Sequence, residues 1–267
     1  MRRLALTSVL ALSAIAVTLN SCKKEEPDTE TQSAVDNNIC ETEFTKLHST
    51  SNGFAINEQG IKGMHSVCYT IISPDTVASP GWPRTMTIDY GTTGCTDSID
   101  GKTRKGKIHL TLSNRWHIIG TSMKITLENY SVDGVTIACD SVKVIHSGTA
   151  SFTNRVYNGK CISPNWNLEW SSDRTLTQVG GLGDLNPFND VFKLSGNANG
   201  KNREGKTYSV NIVTDLIKRS TCKWIESGRL ELVPEGLSSR TIDFGDGTCD
   251  SQATLTIDGN NFTFTMN

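Results

Sequence analysis

From Met64 onward, hydrophobic and polar residues alternate one by one. Ile108, Leu110 and Leu112 are interleaved with His109 and Thr111, Met123, Ile125 and Leu127 with Lys124 and Thr126, and Tyr208, Val210 and Ile212 with Ser209 and Asn211. The same pattern returns at Leu230-Glu231-Leu232, Leu255-Thr256-Ile257 and Phe262-Thr263-Phe264. A period of two gives a strand with one buried face. Between these runs lie Asp100-Gly101, Asp133-Gly134, Ser147-Gly148, Asn158-Gly159, Asn199-Gly200, Ser227-Gly228 and Asp258-Gly259, dipeptides suited to tight hairpin turns. No apolar pattern of helical period follows the first twenty residues. The expected fold is therefore all-β and antiparallel, either a sandwich or a strongly curved sheet.

The pattern is also duplicated. Thr87-Ile88-Asp89-Tyr90-Gly91 leads to Cys95, and Thr241-Ile242-Asp243-Phe244-Gly245 leads to Cys249, each with a second cysteine 27 residues upstream of the last, at Cys68 and Cys222. Equal spacing predicts two stapled strand-and-turn units near 68–95 and 222–249, with disulfides Cys68–Cys95 and Cys222–Cys249. Cys139 and Cys161 flank a hairpin around Ser147-Gly148 and are expected to form a third bridge, leaving Cys40 unpaired. No Cys-x-x-Cys pair of the kind used by zinc ribbons occurs.

The N-terminus sets the compartment. Met1-Arg2-Arg3, an apolar run from Leu4 to Leu19, and Leu19-Asn20-Ser21-Cys22 have the order of an export signal ending in a lipobox-like tetrapeptide. Residues 1–21 are expected to be removed, and Cys22 to carry acyl chains whose methylenes contribute roughly 0.8 kcal/mol each to membrane binding. Residues 22–39 then read as a flexible acidic tether, and 40–267 as the all-β domain. Lys24-Glu25-Glu26 resembles the signal that sends lipoproteins of the Bacteroidetes to the cell surface. Together with Cys222-Lys223-Trp224-Ile225-Glu226-Ser227-Gly228 and Thr241-Ile242-Asp243-Phe244-Gly245-Asp246-Gly247-Thr248-Cys249-Asp250, these residues resemble a group of all-β lipoproteins of the Bacteroidetes. The resemblance implies fold class and an outer-membrane location, open to the cell exterior, but no activity.

Composition narrows the function classes. With 267 residues, 36% hydrophobic and 20% charged, the chain can bury a core, and a formal net charge of −2 gives no field for nucleic acid. A second short repeat, Gly-Lys-x-Arg-x-Gly-Lys at 101–107 and 200–206, reads as two solvated basic turns. Arg104 and Arg203 could instead make a shallow anion site. Asp243, Asp246 and Asp250 could hold a calcium ion, although a turn capped by aspartates explains the same residues. Glu169 lies between Trp166 and Trp170, yet alternation turns it away from them. No catalytic residue set and no cofactor motif is found. The expectation is a lipoprotein with a structural or adhesive role, meeting the membrane through its anchor and a glycan or protein through its sheet. Alternatives are a ligand-binding subunit of a polysaccharide-uptake system or a hydrolase whose site has no sequence signature.

Overall fold

The computed structural model describes residues 27–56, 69–72, 81–98, 100–184, 186 and 188–266. One helix, α1 (Gln32–Ile56), precedes fifteen strands. These are β1 (Thr70–Ile72), β2 (Arg84–Asp89), β3 (Cys95–Thr96), β4 (Thr103–Leu112), β5 (Ser122–Val132), β6 (Val135–Ala138), β7 (Ser141–Gly148) and β8 (Ser151–Ser163). They continue as β9 (Trp166–Gly180), β10 (Val191–Lys201), β11 (Thr207–Arg219), β12 (Ser227–Pro234), β13 (Arg240–Asp246), β14 (Gln252–Ile257) and β15 (Asn260–Thr265). All belong to one antiparallel sheet ordered β1-β2-β4-β5-β6-β8-β9-β10-β11-β12-β13-β14-β15, with β3 on β4 and β7 between β5 and β8. Among the described residues, no helix is long and apolar enough to cross a membrane.

The alternation read from sequence sets the two faces. Ile108, Leu110, Met123, Ile125, Val210, Leu230, Leu232 and Leu255 are buried on the inner face, as are Leu168 and Trp170, while Glu169 is exposed. Asp133-Gly134 and Asp258-Gly259 make the two-residue turns of the β5–β6 and β14–β15 hairpins. Asn158-Gly159 and Asn199-Gly200, by contrast, lie inside β8 and β10. There glycine makes room: a Cβ at 159 would come within 2.7 Å of the Phe44 ring, and one at 200 within 2.2 Å of the Tyr208 ring.

The helix overturns the expectation that no helix follows the signal and, over residues 32–39, that of a flexible tether spanning 22–39, of which residues 22–26 lie outside the described residues. Gln32 to Ile39 form its first turns, and Asp28 and Glu30 ahead of it both pair with Arg240 of β13. The Glu30 carboxylate also accepts the Ser33 amide at 2.7 Å, capping the helix start. The helix is buried on all sides although mostly polar, with Asp36, Asn37, Glu41, His48, Ser51 and Asn52 nearly inaccessible.

Burial of such a helix is costly unless the sheet answers its charged groups. Arg174 of β9 makes a two-pronged ion pair with Glu41, both fully enclosed. Arg203, between β10 and β11, holds Asp36 through its backbone amide at 2.9 Å and its Nε at 2.8 Å. Lys102, beside β4, pairs with Glu43, and Lys46 reaches Asp97 and Asp100. The indole N–H groups of Trp116 and Trp170 donate to Asn52 and Asn37 at 2.7 and 3.0 Å. Phe44 stacks on Trp170 with ring centroids 5.4 Å apart.

These partners dictate the curvature. From β4 to β13 there are eight inter-strand steps, a width of roughly 40 Å if flat. The helix and its lead-in touch both, and no residue of α1 is exposed on any side, which a flat sheet covering one side could not achieve. The sheet therefore curls around α1, and the curved-sheet alternative is the one realised.

A clamp of this kind has a measurable weight. Glu41→Ala leaves Arg174 buried without its partner and is expected to cost about 3–5 kcal/mol in urea denaturation. Replacing both residues by leucine and methionine should recover most of that loss. Arg229→Ala, which removes an exposed pair with Asp243, should stay within about 1 kcal/mol of the parent. Equal losses for Glu41→Ala and Arg229→Ala would remove the clamp from the account of stability.

Candidate functional site

Besides an open trough of about 870 Å³ lined by Lys193, Thr214, Arg229, Asp243 and Asp246, two concave features stand out among the described residues. The first is a cleft beside the C-terminal half of the helix, bounded by Glu43, Lys46 and His48 of α1, by Asp100, Lys102 and Arg104, and by Leu176, Phe192, Leu194 and Lys218 of the inner face. Its free space is about 30 Å³, room for a small ion or two or three waters. The acids here are already engaged: Arg104 holds Asp100 through both guanidinium nitrogens at 3.0 and 2.7 Å, and Lys102 holds Glu43. Burial resists ionisation of Asp100, but Arg104 and Lys46 outweigh it and bring the carboxyl down to about 2. Lys218 donates to the carbonyls of Cys222 and Trp224 at 2.6 and 3.1 Å. Burial, with Lys46 as a like charge nearby, lowers its amine to about 7. His48 packs edge-on to Phe152 and Phe192 with neither ring nitrogen hydrogen-bonded, and burial lowers it to about 4. With both acids spent in ion pairs and so little space, the cleft is built as an interior joint.

The second feature is on the outer face, an open hollow of about 390 Å³ across β8, β9 and β10. Its floor follows from register. Arg155, Asp173, Asn197 and Asn211 stand opposite one another across four strands, and Ser171, Asn199 and Ser209 form the next row. Tyr157 and Asn158 stand at one side, on a register break in β8 between Val156 and Gly159, where Asn158 takes a φ of 50°. A second break, between Leu194 and Asn197, lies on the β10 side. Bulges re-aim side chains, and here two of them border one hollow. Arg155 Nε donates to Asp173 Oδ2 at 2.8 Å, and Asn158 Nδ2 donates to Asp140 at 2.6 Å, so the polar groups are held in place. The surface offers a half-exposed phenol ring beside amides, hydroxyls, a guanidinium and a carboxylate, all able to exchange hydrogen bonds.

The residues singled out from sequence are mostly placed elsewhere. Cys222–Cys249 is a disulfide with Cα atoms 5.8 Å apart. Cys95 is also disulfide-linked, while its expected partner Cys68, like the lipidation residue Cys22, lies outside the described residues. Cys139 and Cys161 are not bridged. The reason is register: Cys161 stands opposite Ile137, which leaves Cys139 two residues out of line, a diagonal of roughly 7–8 Å and too long for the bond. Arg104 and Arg203 do not converge on an anion. Each is taken by a carboxylate of the fold, Asp100 and Asp36, and the basic repeat holds the helix through Lys102 on Glu43 and Arg203 on Asp36.

Asp243, Asp246 and Asp250 are not gathered around a common point. Asp243 accepts the Gly245 amide at 3.0 Å and Arg229 at 2.6 Å, Asp246 accepts the Thr248 amide, and Asp250 that of Gln252. Asp89 does the same for Gly91 at 2.8 Å, so the duplicated motif is a turn in both copies. The one cluster of possible ligands among the described residues, Cys222, Glu226 and Cys249, has both sulfurs committed to the disulfide. Sequence reasoning missed the outer hollow. Its only signal is the pair of Asn-Gly dipeptides at 158 and 199, which read as turns in the sequence but lie inside β8 and β10, the first of them at a register break.

The buried histidine gives a pH test. In the unfolded chain a histidine takes up its proton near 6.5, whereas folded His48 does so only near 4. Between these values the unfolded state binds more protons, so stability falls as the solution is acidified from 6.5 to 4. Urea midpoints at pH 7 and 4.5 should therefore drop less for His48→Phe than for the parent, and parallel drops would refute the assignment. No family model, curated protein or solved structure matches this chain.

Proposed function

We propose that this protein is an outer-membrane lipoprotein, anchored through Cys22, that binds a glycan with the outer face of its sheet. The observation that supports this reading is the hollow over β8, β9 and β10. Sugars present a face of C–H groups and a rim of hydroxyls that both donate and accept. Tyr157 offers an aromatic face, and Asn158, Asn197, Asn199, Ser171 and Asp173 offer the matching donors and acceptors along the strands. The role is adhesive, and the same surface would serve a subunit that passes polysaccharide to a transporter. Hydrolysis needs two carboxylates set for acid and base work, and Asp173, the acid of the hollow, is held by Arg155.

Two measurements test the reading. On an array of polysaccharides and oligosaccharides, the purified domain should retain at least one class, and Tyr157→Ala combined with Asn199→Ala should weaken that binding about tenfold or more, roughly 1.4 kcal/mol. Arg229→Ala, on another part of the face, should leave it unchanged. Binding that survives the paired substitution would take the site away from this hollow. For the anchor, the parent should incorporate a labelled fatty acid and Cys22→Ala should not, and label retained by the variant would refute lipidation there.

A further inference from the structure

We infer that Cys40 and Cys161 form a disulfide that ties the central helix to strand β8. Their sulfurs are 3.3 Å apart, closer than two sulfurs settle by packing alone, and both residues are completely buried. The approach is held by its neighbours. Phe44, one helical turn after Cys40, fills the space left by Gly159 and stacks on Trp170. Cys161 in turn is fixed by pairing with Ile137 on one side and Leu168 on the other. Closing the remaining gap to the usual bond length of about 2.05 Å is a movement of side-chain scale. The oxidation that closes Cys222–Cys249 and the Cys95 bridge would serve this pair as well.

The chemistry is thiol–disulfide exchange with a protein or small-molecule disulfide as oxidant. The thiolate of one cysteine attacks a sulfur of that disulfide and forms a mixed disulfide, releasing the first thiol of the oxidant. The second cysteine then attacks, forming the Cys40–Cys161 bond and releasing the other thiol. Two protons and two electrons leave the pair, and the oxidant is reduced to two thiols. Burial, then the hydrogen bond to Cys161, pushes the Cys40 thiol up, so in the finished fold it is a poor nucleophile. The bond must therefore form during folding, while the helix is still being enclosed. Among the described cysteines, Cys139 is then the one left as a thiol, in place of the Cys40 that sequence spacing leaves over.

The test is refolding of the full domain in a buffer of reduced and oxidised glutathione, denaturation without reductant in the presence of iodoacetamide, and peptide mapping. The expected result is a linked peptide pair containing Cys40 and Cys161, lighter by two hydrogens than the separate peptides, with Cys139 alkylated. Cys40→Ser should make Cys161 alkylatable, whereas Cys139→Ser should leave the linked pair in place. Alkylation of both Cys40 and Cys161 in parent protein that retains the Cys222–Cys249 link would overturn the proposal, as would a Cys139–Cys161 link. Since the Cys222–Cys249 link reports that oxidation and folding took place, a negative result bears on the sulfur pair itself.

Discussion

A polar helix enclosed by a sheet is the constraint on which everything else rests. Asp36, Glu41 and Glu43 leave water when α1 is buried, and an unpaired carboxylate in such a place costs more than a small domain can spare. Arg203, Arg174 and Lys102 answer them from three different parts of the sheet, while Trp170 and Trp116 answer Asn37 and Asn52. Such pairs add little net stability compared with an apolar core of the same shape. What they add is position: a shift of the helix by one residue would separate every one of these pairs at once. The helix therefore has one register, and the sheet one curvature.

This is also why the strands were legible in the sequence and the helix was not. A sheet with one dry and one wet face writes its geometry as alternation, because each residue meets either the core or the solvent. Ile108-His109-Leu110 and Val210-Asn211-Ile212 can be read with no knowledge of their neighbours. A helix is read from an apolar stripe, and α1 has none, since its surroundings include arginines and indoles on several sides. Acidic, apolar-poor sequence around residues 28–41 is the composition of a solvated tether. It becomes a buried element only through cations that lie 133 to 212 residues further on. The Gly-Lys-x-Arg-x-Gly-Lys repeat was visible, but the roles of Lys102 and Arg203 depended on Glu43 and Asp36 of the helix.

The cysteines and the outer hollow divide along the same line. The Cys222–Cys249 bridge closes a local unit, and equal spacing in a duplicated motif was enough to find it. The approach of Cys40 to Cys161 joins the buried helix to the sheet across 121 residues, so no local spacing encodes it. Likewise the hollow is assembled from β8, β9 and β10 by register, with Arg155, Asp173 and Asn197 in line although they are far apart in the chain. Sequence could show that Asn158-Gly159 was unusual. It could not show that the glycine makes room for Phe44 on the inside while the asparagine breaks the strand on the outside.

That last pairing links the two faces energetically. Along a strand, neighbours point to opposite sides, so the residues that clamp the helix alternate with those that line the hollow. On β9, Trp170 and Arg174 face the helix while Ser171 and Asp173 face outward; on β8, Gly159 and Cys161 face inward beside the outward Tyr157 and Asn158. The inward residues fix strand position to within the tolerance of an ion pair and a stacked ring. The outward residues inherit that precision at no further cost in order. A binding surface on a sheet otherwise suffers from the sheet's freedom to twist, and rigid support from beneath is what allows separate polar groups to meet one ligand together. The buried helix thus does for the outer surface what no outward-facing residue could do for itself: it sets the spacing between the strands that carry them.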